Sequence, residues 1–225
     1  MRQFHISGIA PMPELPDVEY FRCILERHGL RRTIADVVVA DPRIVDGSTV
    51  KTLQGALCGT RLSTARRHGK HLFARIAGDG WLTMHFGMTG ALVPVVKAAP
   101  APRFERLRLD FKNATALAFV DPRRLGRVGL SARIEDFIAA HGLGPDALDP
   151  DLTAAGFAER VSARRGGIKA ILMNQEVVAG VGNIYADEIL FQARIHPATP
   201  RQALDAARLA HLYRAMREVL ETAIA

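Results

Sequence analysis

The sequence has few of the residues that would define a metal centre, a disulfide framework or a membrane segment. Its two cysteines, Cys23 and Cys58, do not form a CxxC pair, so neither a zinc site nor a structural disulfide is predicted. No apolar run approaches the ~20 residues that a membrane-spanning helix requires. Residues 1–11 contain one arginine, one histidine and no long apolar stretch, unlike a secretory signal peptide. These absences fit a protein of a reducing compartment.

Basic residues outnumber acidic ones by 30 to 23, which gives a formal net charge of +7. Such an excess favours a polyanionic partner, nucleic acid first, although a solvated basic face would give the same balance. At 225 residues, of which 48% are hydrophobic, the chain is long and apolar enough for two globular domains.

The N-terminal half changes from a helical period to a period of two. Pro16 in a first turn, an apolar face at helical spacing and Gly29 after the last turn predict an opening helix. A strand is predicted at residues 34–39, followed by a short helix that Ser48 caps. Residues 61–131 contain short alternating segments separated by close turns, which indicates an antiparallel sandwich or barrel rather than a parallel sheet.

After Ser131 the strand pattern stops and the chain becomes helical. A Gly/Pro/Asp-rich linker is predicted at residues 143–150. The last helix reaches Ala225 without a capping glycine, which indicates either a chain cut within a longer protein or a helix that frays at a true terminus. The predicted helices lie at residues 134–142, 153–165, 168–174, 184–194 and from 204 onward.

The stretch from Met12 to Glu19 carries the most unusual chemistry in the sequence. If Pro13 began the chain, its nitrogen would be a secondary amine, a nucleophile that forms an iminium with an aldehyde-like carbon. Glu14 would then place a carboxyl group for proton transfer beside that carbon. In the sequence as given, Met12 precedes Pro13 and the nitrogen is an inert amide. The simpler alternative is that Pro13 and Pro16 only open a helix.

Other candidate residues also have a structural alternative. Lys70 could belong to a solvated basic face, and Met88 could be a core residue of a strand. Asn183 could cap the following helix, which is compatible with phosphate binding because both use exposed amide groups. His85 could contact a phosphate or be a hydrogen-bonded strand histidine. Glu188 could lie on a helix surface or pair with basic groups.

Five separated motifs extend from Met12 to His196 and so cover nearly the whole chain. They are Pro13-Glu14-Leu15-Pro16 with Val18-Glu19; Arg67-His68-Gly69-Lys70; His85-Phe86-Gly87-Met88-Thr89-Gly90; Asp121-Pro122-Arg123-Arg124-Leu125-Gly126; and Ile168-Lys169, Leu172-Met173 and Val181-Gly182-Asn183-Ile184-Tyr185-Ala186-Asp187-Glu188. In order and spacing they resemble the formamidopyrimidine-DNA glycosylase family, bacterial enzymes that remove oxidised purines and then nick the strand. Leu15 favours this branch over the endonuclease-VIII branch, which has glycine there.

The resemblance implies an α+β fold: an N-terminal antiparallel β-sandwich flanked by helices, then an all-helical helix–two-turn–helix domain. The implied partner is damaged double-stranded DNA, bound by a monomer in the bacterial cytoplasm, at the nucleoid and not at a membrane. No cofactor is expected in this chain, since zinc would bind only to the family's C-terminal ribbon. The implied domains are a leader at 1–12, a catalytic sandwich at 13–131, a helix and linker at 132–149, and a DNA-binding domain at 150–225.

The resemblance also implies catalytic roles. The family's nucleophile would be Pro13, exposed by removal of Met12, and Glu14 would protonate the sugar ring oxygen or move protons during elimination. Lys70 would bind a phosphate that flanks the lesion, and Asn183 would bind the neighbouring one from an amide-rich turn at a helix start.

A base inside a duplex must be flipped out before a fixed amine can reach its sugar, and another group must fill the space. Met88, Arg123 and Leu125 stand where the family places its void-filling residues, with Arg123 facing the orphaned base. Outside the family pattern, Arg123 and Arg124 would indicate only an exposed turn. The resemblance adds further DNA contacts at His85, Arg124, Lys169 and Tyr185.

Three departures from the family pattern matter. The leader places the nitrogen of Pro13 in an amide, so we expect translation to begin at Met12. Leu125 replaces the usual phenylalanine, and leucine stacks on bases less well than an aromatic ring. The C-terminal four-cysteine zinc ribbon is missing, either by truncation or because the chain is a zincless variant.

Two other functions remain open from the sequence. One is a non-catalytic binder of damaged or bent DNA, in which Pro13 stays blocked. The other is a nucleic-acid module of the ribosomal-protein type, in which only the helical half matters; the sandwich motifs count against it.

Overall fold

The computed structural model of the protein describes residues 12–225, so the predicted leader lies outside the described residues except for Met12. The described chain separates into two units. Two short segments of the predicted first domain lie with the second unit. The sandwich unit contains Met12 and Pro13, Val18–Arg67 and His71–Ile134; the helical unit contains Glu14–Asp17, His68–Lys70 and Glu135–Ala225.

The described residues form nine strands and seven α-helices. The helices are α1 (Leu15–His28), α2 (Val50–Leu57), α3 (Ile134–Ala140), α4 (Ala154–Ser162), α5 (Ile168–Met173), α6 (Asn183–Gln192) and α7 (Ala206–Ile224). The strands are β1 (Ile34–Val39), β2 (Val45–Asp46), β3 (Leu62–His68), β4 (His71–Ile76), β5 (Trp81–His85), β6 (Ala91–Val96), β7 (Glu105–Phe111), β8 (Thr115–Val120) and β9 (Arg127–Ser131).

The strands form two sheets, with orders β1-β7-β8-β6 and β2-β9-β5-β4-β3. The first sheet is antiparallel throughout, as the period-two pattern predicts. The second sheet contains one parallel pair, Val45 beside Val128 and Asp46 beside Gly129. The α+β class and the predicted sandwich followed by helices are confirmed.

The core of the sandwich unit is built from the inward positions of these alternating strands and from α1. The rings of Phe21 and Phe86 lie 4.4 Å apart, and Phe86 stacks on Phe119 at 5.1 Å. All three side chains are buried. Asp110 is an exception to the alternation, because it is buried and accepts a hydrogen bond of 2.7 Å from Arg108.

One predicted cap is wrong. Thr49, not Ser48, precedes α2, and its hydroxyl accepts a hydrogen bond from the Thr52 amide at 3.1 Å. Both residues are of the type that favours N-caps, so composition alone does not separate them. The predicted strand at residues 34–39 coincides with β1.

The helical unit encloses a second core. Phe157 of α4, Ile189 of α6 and Leu212 of α7 are buried in one cluster, to which Leu15 also belongs. Asp205 caps α7 by accepting the Arg208 amide at 2.8 Å. Among residues 12–225, no helix combines the length and the low polarity needed to cross a bilayer.

Candidate active site and DNA interface

The carboxylate of Glu14 lies at the start of α6 and accepts three backbone hydrogen bonds. The amides of Gly182, Ile184 and Tyr185 donate to it at 2.7, 2.8 and 3.2 Å. The first amides of a helix lack partners within the helix, and they favour negative charge. Glu14 therefore caps a helix that is distant from it in sequence, and its carboxylate is held in a single orientation.

Glycine at position 182 makes this contact possible. Gly182 is the N-cap residue of α6 and has no side chain with which to cap the helix. A Cβ atom built on it would lie 2.5 Å from Cδ of Glu14 and 2.7 Å from its Oε1, far inside ordinary contact distance. The alternative of Asn183 as the cap is wrong, because Asn183 is the first residue of α6 and is exposed.

Asp17 completes the local geometry. Its Oδ2 accepts a hydrogen bond from the Glu14 amide at 2.9 Å, which is the return bond of a capping box at the start of α1. Burial raises the pKa of Asp17, and the amide hydrogen bonds that it accepts oppose that effect. Asp17 was not predicted to cap α1, although an acidic residue three positions after Glu14 has the spacing that a capping box requires.

Lys70 is buried, with 8% of its surface exposed, so the solvated-face alternative is wrong. The turn that carries it is fixed within the helical unit. Gly69 has φ of 55°, its amide donates to Oδ2 of Asp146 at 2.6 Å, and a Cβ on it would lie 2.7 Å from that of Ala179. The ring Nε2 of His68 also lies 2.8 Å from the Gly144 carbonyl oxygen.

The two ionisable groups of this site have shifted pKa values. Burial raises the pKa of Glu14, while the three amide hydrogen bonds and the charge of Lys70 oppose that effect. Burial lowers the pKa of Lys70, and the carboxylate of Glu14 opposes it. Burial thus shifts the pKa values of the two groups toward each other, and perturbed pKa values of this kind are frequent at functional sites.

The other candidate residues of the helical unit have varied surroundings. Lys169 forms an ion pair with Asp187 at 2.7 Å, so part of its charge is already compensated. Tyr185 is half-buried, and burial raises the pKa of its hydroxyl, together with the charges of Asp17 and Glu14. Glu188 is exposed and accepts a hydrogen bond from Gln192, which settles it as a helix-surface residue.

In the sandwich unit, Met88 and Leu125 lie on two turns and are exposed. Met88 is 37% exposed in the turn between β5 and β6, so the core alternative is wrong. Leu125 is 41% exposed in the turn before β9, and Arg123 is exposed in the same turn. Each turn therefore presents one large apolar side chain to solvent, where it is available for contact with a partner.

Asp121 holds the two turns together and was not predicted as a site residue. It is fully buried and accepts hydrogen bonds from the Thr89 hydroxyl at 2.6 Å, the Arg123 amide at 3.1 Å and the Gly126 amide at 2.7 Å. A Cβ on Gly87 would lie 2.5 Å from the backbone of Leu125. The hydrogen bonds of Asp121 thus hold the turns of Met88, Arg123 and Leu125 together. We call these three residues the wedge.

His85 and Arg124 lie beside the wedge. The Nδ1 of His85 accepts the Gly87 amide at 3.2 Å, and its ring lies 4.8 Å from that of His71. Its contact with DNA stays a prediction. Arg124 has φ of 60° and its guanidinium lies 3.4 Å from Asp41. Pro13, the remaining candidate of this unit, is buried.

Within residues 12–225, no three His, Cys, Asp or Glu side chains lie close enough to hold a metal ion. Cys23 and Cys58 are free and exposed. These residues do not fit the zinc site of the family's ribbon, and the expectation that the chain needs no cofactor stays a prediction.

Comparisons with known proteins agree with these two units. The family model described as the formamidopyrimidine-DNA glycosylase N-terminal domain matches residues 12–128, and that of the H2TH domain matches residues 143–225. The formamidopyrimidine-DNA glycosylase of Moorella thermoacetica is 38% identical, over 95% of this chain and 79% of the relative. The formamidopyrimidine-DNA glycosylase of a Nocardioides species is 41% identical, over 95% of this chain and 74% of the relative.

A solved complex of Lactococcus lactis Fpg with DNA that contains an abasic site superposes with a TM-score of 0.89. The match has 30% identity and covers 94% of this chain and 79% of that one. Fold and site together define a DNA glycosylase with a β-sandwich unit and a helix–two-turn–helix unit. The chain belongs to the formamidopyrimidine-DNA glycosylase family.

Proposed function

We propose that Pro13, Glu14 and Lys70 carry out the reaction of a base-excision-repair DNA glycosylase with abasic-site lyase activity, which is the activity of this family. The proline nitrogen, as a free amine, attacks C1′ of the damaged nucleotide. The bond from C1′ to the oxidised purine breaks, and the base leaves with a proton. The product is an aminal in which C1′ is bonded to both the proline nitrogen, which has lost its proton, and the ring oxygen. Protonation of the ring oxygen breaks the C1′–O4′ bond and opens the sugar to the iminium. Loss of a proton from C2′ of this iminium then expels the 3′ phosphate and nicks the strand.

The observation that carries this proposal is the buried carboxylate directly after Pro13. Because burial raises the pKa of Glu14, this carboxyl carries a proton more readily than an exposed glutamate does. Three backbone amides hold it in place, so it can give that proton to the sugar ring oxygen without reorienting.

The same hydrogen bonds change how Asn183 would bind a phosphate. The amides of Gly182, Ile184 and Tyr185 are already used by Glu14, so an amide cradle at the start of α6 is largely occupied. We therefore assign the neighbouring phosphate to the exposed side chain of Asn183. Lys70 would bind the other flanking phosphate, with Lys169 and Tyr185 as secondary contacts.

The wedge would fill the space that a flipped nucleotide leaves. Met88 and Leu125 provide exposed apolar groups, and Arg123 provides the donor for the orphaned base. We propose that the substrate is damaged duplex DNA, bound by a monomer at the bacterial nucleoid without a cofactor. The matches to catalytic relatives give no support to a non-catalytic binder.

Borohydride reduction tests the chemistry directly. A chain that begins at Pro13 should give a covalent adduct with abasic-site DNA, and Pro13→Gly should reduce the yield greatly. The chain that begins at Met1 provides the matched control, because its Pro13 nitrogen is an amide. An equal adduct yield from both forms would show that another amine is the nucleophile.

A further inference from the structure

Residues 174–182 join α5 to α6, and the side chain of Gln175 holds this connecting loop together. Gln175 is half-buried, and its amide group forms three hydrogen bonds with the backbone. Nε2 donates to the carbonyls of Met173 at 2.8 Å and Val181 at 2.9 Å, and Oε1 accepts the amide of Gly180 at 3.0 Å. A glutamine amide has two N–H donors, and both are used here. The side chain therefore ties the end of α5 to the residues that lead into α6.

The hydrogen bond to Val181 reaches Glu14 through a single peptide group. The carbonyl of Val181 and the amide of Gly182 belong to the same peptide bond, which is planar and resists rotation. Nε2 of Gln175 fixes the carbonyl end, and the amide end donates to the carboxylate of Glu14 at 2.7 Å. A rotation of this peptide that broke one of the two hydrogen bonds would misalign the other. The direction of the Gly182 amide is thus set by Gln175.

The hydrogen bond to Gly180 reaches the start of α1. The Gly180 carbonyl accepts the amide of Leu15, the residue after Glu14, at 3.1 Å. Gly180 has φ of 119°, and a Cβ on it would lie 2.6 Å from Cδ1 of Leu15, so the connecting loop passes directly against the start of α1. The side chain of Gln175 is therefore linked to the backbone beside Glu14 as well as to the amide that its carboxylate accepts.

The main chain of Gln175 has a separate contact, on the side of Lys70. Its carbonyl accepts the amide of Gly144 at 2.8 Å, and the Gly144 carbonyl oxygen lies 2.8 Å from Nε2 of His68, two residues before Lys70. A substitution at position 175 removes the side-chain hydrogen bonds and leaves this main-chain bond available. Loss of the side chain should therefore affect Glu14 and not Lys70.

We infer that Gln175 is a positioning residue for the reaction: through the Val181–Gly182 peptide it holds the amide that orients the Glu14 carboxylate. The inference rests on the proposed function, in which Glu14 gives a proton to the sugar. The three hydrogen bonds of the Gln175 side chain all go to backbone groups, so Gln175 acts through Glu14. A purely structural role would lower the Tm and leave the amides at the start of α6 in place.

Hydrogen exchange tests the positioning without reference to the chemistry. Gln175→Met keeps the length of the side chain and removes its amide group. The amides of Gly182 and Ile184 should then exchange with solvent about tenfold faster, as followed by NMR. Gln54→Met is the matched control, because it breaks a hydrogen bond of 2.9 Å from a half-buried glutamine to the Val37 carbonyl in the sandwich unit. Unchanged exchange at Gly182 in Gln175→Met, or equal acceleration in both variants, would overturn the inference.

Single-turnover kinetics tests whether the positioning affects the rate. Excision by Gln175→Met should fall about tenfold, because the carboxylate is no longer held in one orientation. Excision by Gln54→Met should equal that of the parent at a temperature where both are folded. The Kd of Gln175→Met for a duplex with a tetrahydrofuran abasic analogue, and the slope of log Kd against log salt, should stay those of the parent, because the turn of Lys70 keeps its contacts. A loss of affinity in parallel with the rate would overturn the inference.

The Glu14→Gln background separates this inference from the proposed function. If Gln175 acts through the Glu14 carboxylate, adding Gln175→Met to Glu14→Gln should lower the rate by less than about twofold. A further loss of about tenfold in that background would overturn the inference and leave the proposed function intact. Excision by Glu14→Gln at the rate of the parent would instead refute the proposed function, and the exchange of the Gly182 amide would then decide whether Gln175 holds that amide.

Discussion

The Gly182 amide donates a hydrogen bond of 2.7 Å to Oε2 of Glu14, although 168 residues separate the two in sequence. Through this bond the start of α6 fixes the carboxylate that follows Pro13. Under the proposed function this bond links helix capping to catalysis, because Glu14 both satisfies orphan amides and would carry the proton. Changes at Gly182 should therefore alter the chemistry without touching a catalytic side chain.

Gly182→Ala should displace the Glu14 carboxylate, because the added Cβ would lie 2.5 Å from its Cδ. We expect single-turnover excision to fall on the order of 100-fold and the free energy of unfolding to fall by about 1–3 kcal/mol. Gly55→Ala is the matched control: a Cβ there meets nothing within 4 Å in the interior of α2. It should stabilise the protein by about 0.5–1 kcal/mol and leave the rate unchanged. Equal rates in the two variants would show that the position of the Glu14 carboxylate does not limit excision.

Lys70→Ala should make binding to undamaged duplex less dependent on salt. If Lys70 binds a phosphate, its removal should reduce the slope of log Kd against log salt by about one. Lys51→Ala, at an exposed position of α2, serves as the control and should leave the slope unchanged. Fluorescence titrations at several salt concentrations measure the slopes. If both variants behave like the parent, Lys70 does not contact the backbone of DNA.

Leu125→Phe should speed excision of oxidised guanine about fivefold. An aromatic ring in the wedge gains on the order of 1 kcal/mol by stacking on the bases that flank the flipped nucleotide. Since Leu125 is 41% exposed, the substitution should change the free energy of unfolding by less than about 0.5 kcal/mol. Nicking of abasic-site DNA, which has no base to unstack, should change less. Single-turnover rates on oxidised-guanine DNA and on abasic-site DNA test this prediction. A slower excision rate in Leu125→Phe would mean that the phenylalanine ring does not fit between the bases.

Asp41→Asn should make stability less sensitive to acid. The hydrogen bond from Arg43, together with the charges of Arg43 and Arg124, lowers the pKa of Asp41 to about 2. Because its unfolded pKa is ~3.9, Asp41 stabilises the fold above about pH 4, and this contribution is lost as the pH falls toward 2. Urea unfolding at pH 7, 5, 4 and 3 should show a less stable variant at pH 7 and a smaller decline below pH 4. Asp79→Asn, whose side chain is 94% exposed, should follow the parent.

The sequence by itself determined most of the local structure and the family. Hydrophobic periodicity and turn residues are local signals, and they placed β1 at residues 34–39 and a series of short strands between residues 61 and 131. For Pro13 and Glu14 the residues alone left two possibilities open, a nucleophilic amine beside a carboxyl group or the opening of a helix. Their catalytic roles were implied only by the resemblance to the family, and they stay predictions. The choice between Ser48 and Thr49 as the N-cap of α2 could not be made from the sequence, because both side chains offer a hydroxyl.

The tertiary structure alone decided how the site is held. The partners of Glu14 are backbone amides at residues 182, 184 and 185, and since every residue except proline has such an amide, no sequence pattern marks these three. Whether Lys70 is buried or solvated depends on the fold around its turn and not on its neighbours in sequence. Asp121 lies within a recognisable motif, yet its hydrogen bond from the Thr89 hydroxyl exists only once two turns meet. The local sequence pattern determines which helices and strands form. Long-range hydrogen bonds to buried groups determine which side chains come together in the site.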